Sequence, residues 1–341
     1  MKRFVVTIIS ALGIPVLLLV VLFCVTDPYR TIHKFDPTNA YDDAREYVST
    51  ELFLRNNPTQ QYNAFVFANS RAAAITTYLW SSLIGDNVRP FLFQAWAENI
   101  EGIQQKVDFV DHSGNDLDYV LLMVDRSTFP ASVKRTGLLY LRHPLLSGQS
   151  WLGFEADVFK NYIQKPSQWA QSIKSFVKGE RHPLSCDTIT NDVYDYYADV
   201  WDSDLQPDSL NACSPIVRKA FIEEVSHMDD SDIQTGRPLI TASYEASLRH
   251  IKDVFDAHHT QYKVLIMPAY IYKNKLFHPK DIALLNDIFG SENVYNYLQK
   301  SELTTDYNYY FDPAHPGLLA GSIILREIYA PKASPDSTFT K

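Results

Sequence analysis

Two short segments near opposite ends of the chain carry residue types that can do chemistry. The first reads Phe65-Val66-Phe67-Ala68-Asn69-Ser70-Arg71: an apolar run ends, a serine follows, and Ala72-Ala73-Ala74 opens a helical stretch. A serine at such a junction has two uses. Its hydroxyl can accept a backbone N–H as a helix N-cap. It can also be a nucleophile, presented beside backbone N–H groups that hold an oxyanion. The second segment reads Tyr309-Tyr310-Phe311-Asp312-Pro313-Ala314-His315-Pro316-Gly317, an Asp-x-x-His just before the terminal helical stretch. Alone, Asp312 could cap a turn and His315 could be a solvated residue at a helix start, with Pro316 in the first helical position. Together the segments supply the groups of nucleophilic acyl transfer: the Ser70 hydroxyl, the His315 imidazole as its base, and the Asp312 carboxylate to hold the imidazole in the right tautomer.

These groups need elements that deliver them to one edge. Five short apolar runs read as buried parallel strands: Tyr62 to Ala68, Val88 to Phe93, Leu117 to Val124, Tyr262 to Met267, and a weaker Asn293 to Tyr297. Helical spacing of apolar residues lies between them, over Ala72 to Leu83, Asn99 to Val110 and Ala242 to Ala257. Pro316 to Tyr329 closes the chain with Leu318, Leu319, Ile323, Ile324, Leu325 and Ile328. The alternation predicts an α/β domain over residues 61–330, a parallel sheet with helices on both faces. Ser70 then follows the first strand, and the Asp312–His315 turn follows the fifth.

Residues 127–240 are far longer than a crossover needs. They hold Trp151, Trp169, Trp201, Tyr194, Tyr196, Tyr197 and two of the three cysteines. The stretch is expected to be a mostly helical insertion packed over the functional edge of the sheet, since an insertion at a strand's carboxyl end commonly shapes a pocket. Its aromatic side chains fit core packing, with stacking on sugar rings as the other use.

Phe4 to Val25 is a run of 22 residues without a charge, long enough at about 1.5 Å per residue to cross a hydrocarbon core of about 30 Å. Lys2 and Arg3 precede it, so the N-terminus is expected to stay cytoplasmic and the body to lie outside. A cleaved signal peptide is the competing reading, but the run is long for one and ends in Phe23-Cys24-Val25-Thr26 rather than a small-x-small site. Residues 1–27 are therefore read as a single-pass signal anchor in the cytoplasmic (inner) membrane, with the body facing the periplasm or cell exterior. Residues 28–60 are read as a stalk and lead-in, with a short helix over Ala44 to Phe53, and 331–341 as a tail. In an oxidising compartment Cys186 and Cys213 could form a disulfide; two unpaired core thiols are the alternative.

The composition is globular, with 46% apolar and 21% charged residues in 341. The net charge is −9, of which the first 27 residues contribute +1 and the remainder −10. An acidic body excludes nucleic acid as an expected partner, because phosphate contacts need Lys and Arg. No phosphate loop, Rossmann glycine pattern or zinc-ligand spacing occurs, so no cofactor or metal is expected. His258-His259 lacks metal-ligand partners at useful spacing and reads as a surface pair.

The serine after the first strand and the Asp-x-x-His near the C-terminus, in that order, resemble SGNH/GDSL-type hydrolases. The membrane anchor resembles the subset that works in the cell envelope, which includes the teichoic-acid D-alanylation protein and the polysaccharide O-acetylation proteins. Tyr47 to Phe53 and Asn308 to Gly317 also look like segments of bacterial envelope proteins of this type. The likeness covers the sheet elements and not residues 127–240. It implies a flavodoxin-like three-layer fold and a catalytic Ser70–His315–Asp312 set.

The departures fall on the oxyanion hole. The usual Gly-Asp-Ser reads Ala68-Asn69-Ser70. The second block, where a glycine N–H is usual, has Ala97 within Gln94-Ala95-Trp96-Ala97-Glu98-Asn99, and Asn99 is a candidate donor there. The third block, Gly-x-Asn-Asp, is missing after the third strand, where Val124-Asp125-Arg126-Ser127 stands. Arg71 has two open roles, neutralising an anionic substrate or pairing with a nearby carboxylate. Two functions remain. One is a serine esterase or O-acyltransferase acting on an acylated envelope glycan or lipid-linked substrate. The other is a catalytically inactive accessory protein that binds a glycan or a membrane-bound acyltransferase.

Overall fold

The computed structural model describes residues 2–130, 137–193 and 215–329, the side chains of residues 2–12 and most of 215–220 excepted. In chain order the elements are α1 (Lys2–Thr26), α2 (Arg45–Gln60), β1 (Ala64–Ala68), α3 (Thr77–Ile84), β2 (Pro90–Gln94), α4 (Ile100–His112), β3 (Tyr119–Val124), α5 (Pro144–Ser147), α6 (Trp151–Ile163), α7 (Pro166–Lys178), α8 (Pro215–Val225), α9 (Ala242–Ala257), β4 (Gln261–Ile266), α10 (Pro279–Phe289), β5 (Val294–Asn296), α11 (Glu302–Thr305), β6 (Tyr310–Asp312), β7 (His315–Pro316) and α12 (Leu318–Tyr329).

All five expected strands form, each paired in parallel, in the order β2-β1-β3-β4-β5. Their side chains alternate between two apolar layers. Phe65, Phe67, Phe91, Phe93, Val120, Leu122, Val264 and Ile266 join the cores of α2, α4, α9 and α10. Val66, Leu92, Leu121, Met123 and Leu265 join Trp80 of α3 and Ile324, Leu325 and Ile328 of α12. Burial on both faces explains why these strands read as continuous apolar runs rather than alternating ones. The chain runs from β1 to β2 on one side and from β3 onward on the other. Their carboxyl ends therefore diverge between β1 and β3, the switch point where open α/β sheets take ligands.

Three expectations are corrected. The helix expected over Ala72 to Leu83 is broken: Ser70–Ala74 is a 3₁₀ turn, Ile75 is extended, and Thr76 caps α3 through the Leu79 N–H. Residues 28–60 are not a stalk. Tyr29, Tyr47, Val48, Leu52 and Phe53 are buried in the larger core, and the helix expected to end at Phe53 runs on to Gln60. The insertion does not lie wholly over the functional edge. Phe154, Val158 and Tyr162 of α6 extend the core beside α2, with Phe154 stacked on Tyr47, while Phe221 of α8 packs on Tyr270 near β6.

α1 is helical throughout Lys2–Thr26, with its side chains described from Gly13 on. Among the described residues no helix is long and apolar enough to cross a membrane. Cys186 is a buried free thiol, pushed up by burial despite the Arg45 guanidinium beside it. Cys213, its expected partner, lies outside the described residues, as do Tyr194, Tyr196, Tyr197 and Trp201.

α12 presses on the turn after β1. A Cβ on Gly321 would stand 1.7 Å from the Ala74 carbonyl oxygen, closer than real atoms approach. Glycine to alanine inside a helix ordinarily gains roughly 1 kcal/mol. Here Gly321→Ala should instead lower stability by about 1–3 kcal/mol, the usual cost of overpacking. A urea unfolding midpoint at or above that of the parent chain would contradict this close contact.

Candidate active site

Ser70 stands two residues beyond β1, at the first position of the 3₁₀ turn. The cap of that turn is Asn69, whose Oδ1 accepts the Arg71 N–H at 3.0 Å. The capping role open to Ser70 is thus filled by its neighbour. The Ser70 hydroxyl meets His315 instead, with Oγ 3.0 Å from Nε2. The other ring nitrogen, Nδ1, lies 2.8 Å from Asp312 Oδ2. Ser70, His315 and Asp312 therefore form one hydrogen-bonded line, with the imidazole between hydroxyl and carboxylate.

The turn carrying the imidazole is tightly held. Asp312 Oδ1 accepts the backbone N–H groups of Ala314 at 2.7 Å and His315 at 3.0 Å. Burial acts to raise the Asp312 carboxyl, but the His315 ring and these two N–H donors outweigh it and hold the group below the usual carboxylate range. β6 and β7 close the turn as a bulged antiparallel pair. The Pro313 carbonyl is braced by the Tyr270 N–H at 2.9 Å and by Asn274 Nδ2 at 2.6 Å. Tyr310, fully buried, donates its hydroxyl to the Leu303 carbonyl at 2.7 Å.

Arg71 is resolved in favour of pairing. It is buried, and its Nε lies 3.2 Å from Asp125 Oδ2. Asp125 follows β3, where the third sequence block is missing, and it joins the two sides of the switch point. It accepts Asn69 Nδ2 at 2.6 Å as well as the Ser127 N–H and hydroxyl. Burial works against the Asp125 charge, but Arg71, Ser127 and Asn69 together lower its pKa below the ordinary value. Sequence reasoning did not assign Asp125, Asn69 or Asn274 to this site. The signal available was Asp125-x-x-Thr128, a capping-box spacing realised in the 3₁₀ turn at Arg126–Thr128.

The oxyanion candidates fare differently. Ala97 has φ +52°, the left-handed conformation that glycine favours and that an L residue adopts at some cost. The second block therefore keeps a glycine-like backbone without the glycine. Asn99 caps α4, its Oδ1 accepting the Gly102 N–H at 2.9 Å and an Arg142 N–H. The hydrogen bonds of Asn99 run to Glu98, Gly102 and Arg142. A cavity of about 320 Å³ begins just past the end of β2, lined by Trp96, Ala97, Glu98, Asn99, Tyr140, Arg142 and others. His258 pairs with Asp111 at 2.7 Å, and among the described residues no group of acidic, His and Cys side chains could hold a metal. No protein-family model matches the chain, and no curated protein matches it either.

Asp125→Ala would leave Arg71 buried without its carboxylate and two polar side chains without their acceptor. A loss of about 3–5 kcal/mol is expected in a denaturant titration at neutral pH, the scale for breaking a buried pair from one side. Because folding lowers the Asp125 pKa, its contribution is present above about pH 3.8, the ordinary value, and fades as pH falls through the lower folded one. The gap between parent and variant should therefore narrow in strong acid. A gap that stays constant down to low pH would refute this assignment.

Proposed function

We propose that the protein is a membrane-anchored extracytoplasmic serine esterase or O-acyltransferase of the SGNH type, with a flavodoxin-like fold. The observation that carries this reading is the Ser70–His315–Asp312 line, drawn from both ends of the chain to the carboxyl edge of a parallel sheet. The sheet order β2-β1-β3-β4-β5 is the flavodoxin-like one. The uncharged Phe4 to Val25 run, helical within α1, supports a single-pass anchor with the body outside the cytoplasm.

In this reading Ser70 Oγ attacks the carbonyl carbon of an acyl ester while its proton passes to His315 Nε2. The anionic Asp312 holds the Nδ1–H and stabilises the imidazolium without taking a proton. Collapse of the tetrahedral intermediate breaks the ester C–O bond, and the leaving alkoxide takes the proton from Nε2. A water or a sugar hydroxyl then attacks the acyl-serine, its proton going to His315 Nε2; the acyl C–Oγ bond breaks, and Ser70 Oγ takes that proton back. Water makes the protein an esterase; a sheltered acceptor hydroxyl makes it a transferase. The cavity past β2 holds Trp96 and Tyr140 with Glu98 and Arg142, but none of Ser70, His315 and Asp312 lines it, so the acylated envelope glycan or lipid-linked sugar is proposed from the chemistry of the line and the anchor alone.

One observation favours a second reading, a silent accessory protein that binds a glycan or a membrane-bound acyltransferase. The chain has Asp125 where the family's third-block asparagine region falls, and that side chain is engaged by Arg71, Asn69 and Ser127.

A fluorophosphonate probe on the full chain separates the two readings. Covalent labelling is expected in the parent chain and absent in Ser70→Ala. Asp312→Asn should slow labelling by roughly 10²–10⁴-fold, the range for losing general-base assistance or the correct tautomer. Labelling of neither chain, or of both equally, would turn the assignment to the accessory protein.

A further inference from the structure

α7 begins with Trp169 packed against Tyr162 and the larger core, but its last two turns put polar side chains inward. Ser172 and Ser175 are buried, Ser175 Oγ lies 2.7 Å from His182 Nε2, and Gln168 joins the Tyr29 hydroxyl at 2.5 Å and Asp43 at 3.3 Å. Its apolar side looks outward: Ile173, Phe176 and Val177 are 46%, 62% and 76% exposed. At a helical period of 3.6 these three share one stripe, and the exposed Lys174 and Lys178 border it. Trp169 docks the start of the helix by burial, whereas its last two turns are docked by polar contacts. The hydrogen bonds on its polar side fix the observed orientation, so the apolar stripe is held outward.

The stripe's position indicates what covers it. α7 packs against the last turns of α1, and Phe176 lines the same groove as Val25 and Thr26, where the uncharged run of α1 ends. α1 itself carries exposed apolar side chains up to this point, among them Leu17, Leu18, Val21 and Val25. Its end is fixed to the body by Phe23, buried with ring centroids 5.4 Å from Phe159 and 5.2 Å from Tyr162. The outward stripe therefore begins where a membrane helix would leave the bilayer. Lysines flanking an apolar helical face are the composition of helices that lie in a lipid interface, where they meet anionic headgroups.

We propose that α7 lies in the membrane interface beside the exit of α1, with Ile173, Phe176 and Val177 in the acyl boundary and Lys174 and Lys178 among anionic headgroups. This rests on the reading of α1 as a membrane anchor. The body then touches the bilayer at two elements, which sets its tilt as well as its height.

The test uses the full chain reconstituted into vesicles of equal parts phosphatidylcholine and phosphatidylglycerol. Val177→p-benzoylphenylalanine is photolysed and lipid adducts are read by mass spectrometry, beside the same replacement of Tyr78, which is 82% exposed on α3. Lipid adducts at 177 and none at 78 are expected, and the yield at 177 should fall several-fold when Lys174 and Lys178 are both changed to Glu. A chain that floats with the vesicles but gives no lipid adduct at 177, or equal adducts at both positions, overturns the α7 proposal and leaves the anchor standing. A cross-linked dimer through 177 overturns it in favour of a second copy. A chain that does not float removes the anchor and the proposal together.

Discussion

The contact of α12 with the 3₁₀ turn after β1 is the constraint on which the site depends. Ser70 and His315 are 245 positions apart, and neither lies in a regular strand of the main sheet. They meet because the turn after β1 and the helix after β7 pack without an intervening side chain at Gly321. The hairpin of β6 and β7 sits directly before that helix, so seating α12 also seats the imidazole. Since α12 shares its core with Trp80, Val66, Leu121 and Leu265, the position of His315 is set by burial across one whole face of the sheet. A few ångströms of slip there would separate base from hydroxyl, which is why the site is attached to the core and not to a free loop.

A second constraint acts from the sheet's centre. β1 and β3 are neighbours whose connections leave in opposite directions, and such a gap is open to water and ligand. Here it is bridged by Asn69 and Asp125, with Arg71 completing the pair. The bridge settles three local questions at once. It orients Asn69 so that its other amide atom can cap the turn, it leaves the Ser70 hydroxyl available to His315, and it neutralises Arg71. An anionic substrate therefore meets no unpaired guanidinium at residue 71. Through Asp125 this pair follows β3 directly and is a stabilising element of the site.

β1, β2 and β3 were legible in the sequence because both of their faces are buried and almost every residue is apolar, and β4 through its buried Val264-Leu265-Ile266 end despite Gln261 and Lys263. β5 was the faintest and is also the shortest, three residues, none fully buried. The meeting of Ser70, His315 and Asp312 was legible because Asp and His lie on one turn, so only one long-range approach had to be inferred. What was not legible depends on tertiary contact. The break at Ile75 and Thr76 carries no glycine or proline; it is made by the Thr76 cap and by Asp192, which accepts the Thr77 N–H and hydroxyl from far along the chain. Asn99 was read as a candidate donor because its neighbours fit the second block; its role at the start of α4 was not read, where its oxygen accepts the Gly102 N–H, a bond that does not use the amide hydrogens. Residues 28–60 looked like a tether because they are mixed and polar. Tyr29 and Phe35 are isolated among polar residues, and the short helix at Ala44 to Phe53 gave no sign of its long-range partners, yet Tyr29, Phe35, Tyr47, Val48, Leu52 and Phe53 are all buried.

That last difference changes how the proposed chemistry relates to the membrane. A stalk would let the body sample a range of heights, and any acyl ester within its reach would be a candidate substrate. The structure has no such freedom at the end of α1. Asp27 is fully buried and accepts the N–H groups of Thr31, Ile32 and His33, while Phe23 is wedged against α6. The helix and the body thus form one continuous packed unit. In the proposed reading, with α1 in a bilayer, side-chain packing would set the distance from lipid to Ser70, and substrates would be selected by height as well as by shape. A lipid-linked sugar, or a glycan handed over by a partner within the membrane, satisfies that restriction in a way a freely diffusing ester does not. On this view the selectivity of the site begins at Phe23 and Asp27, well before the substrate reaches the serine.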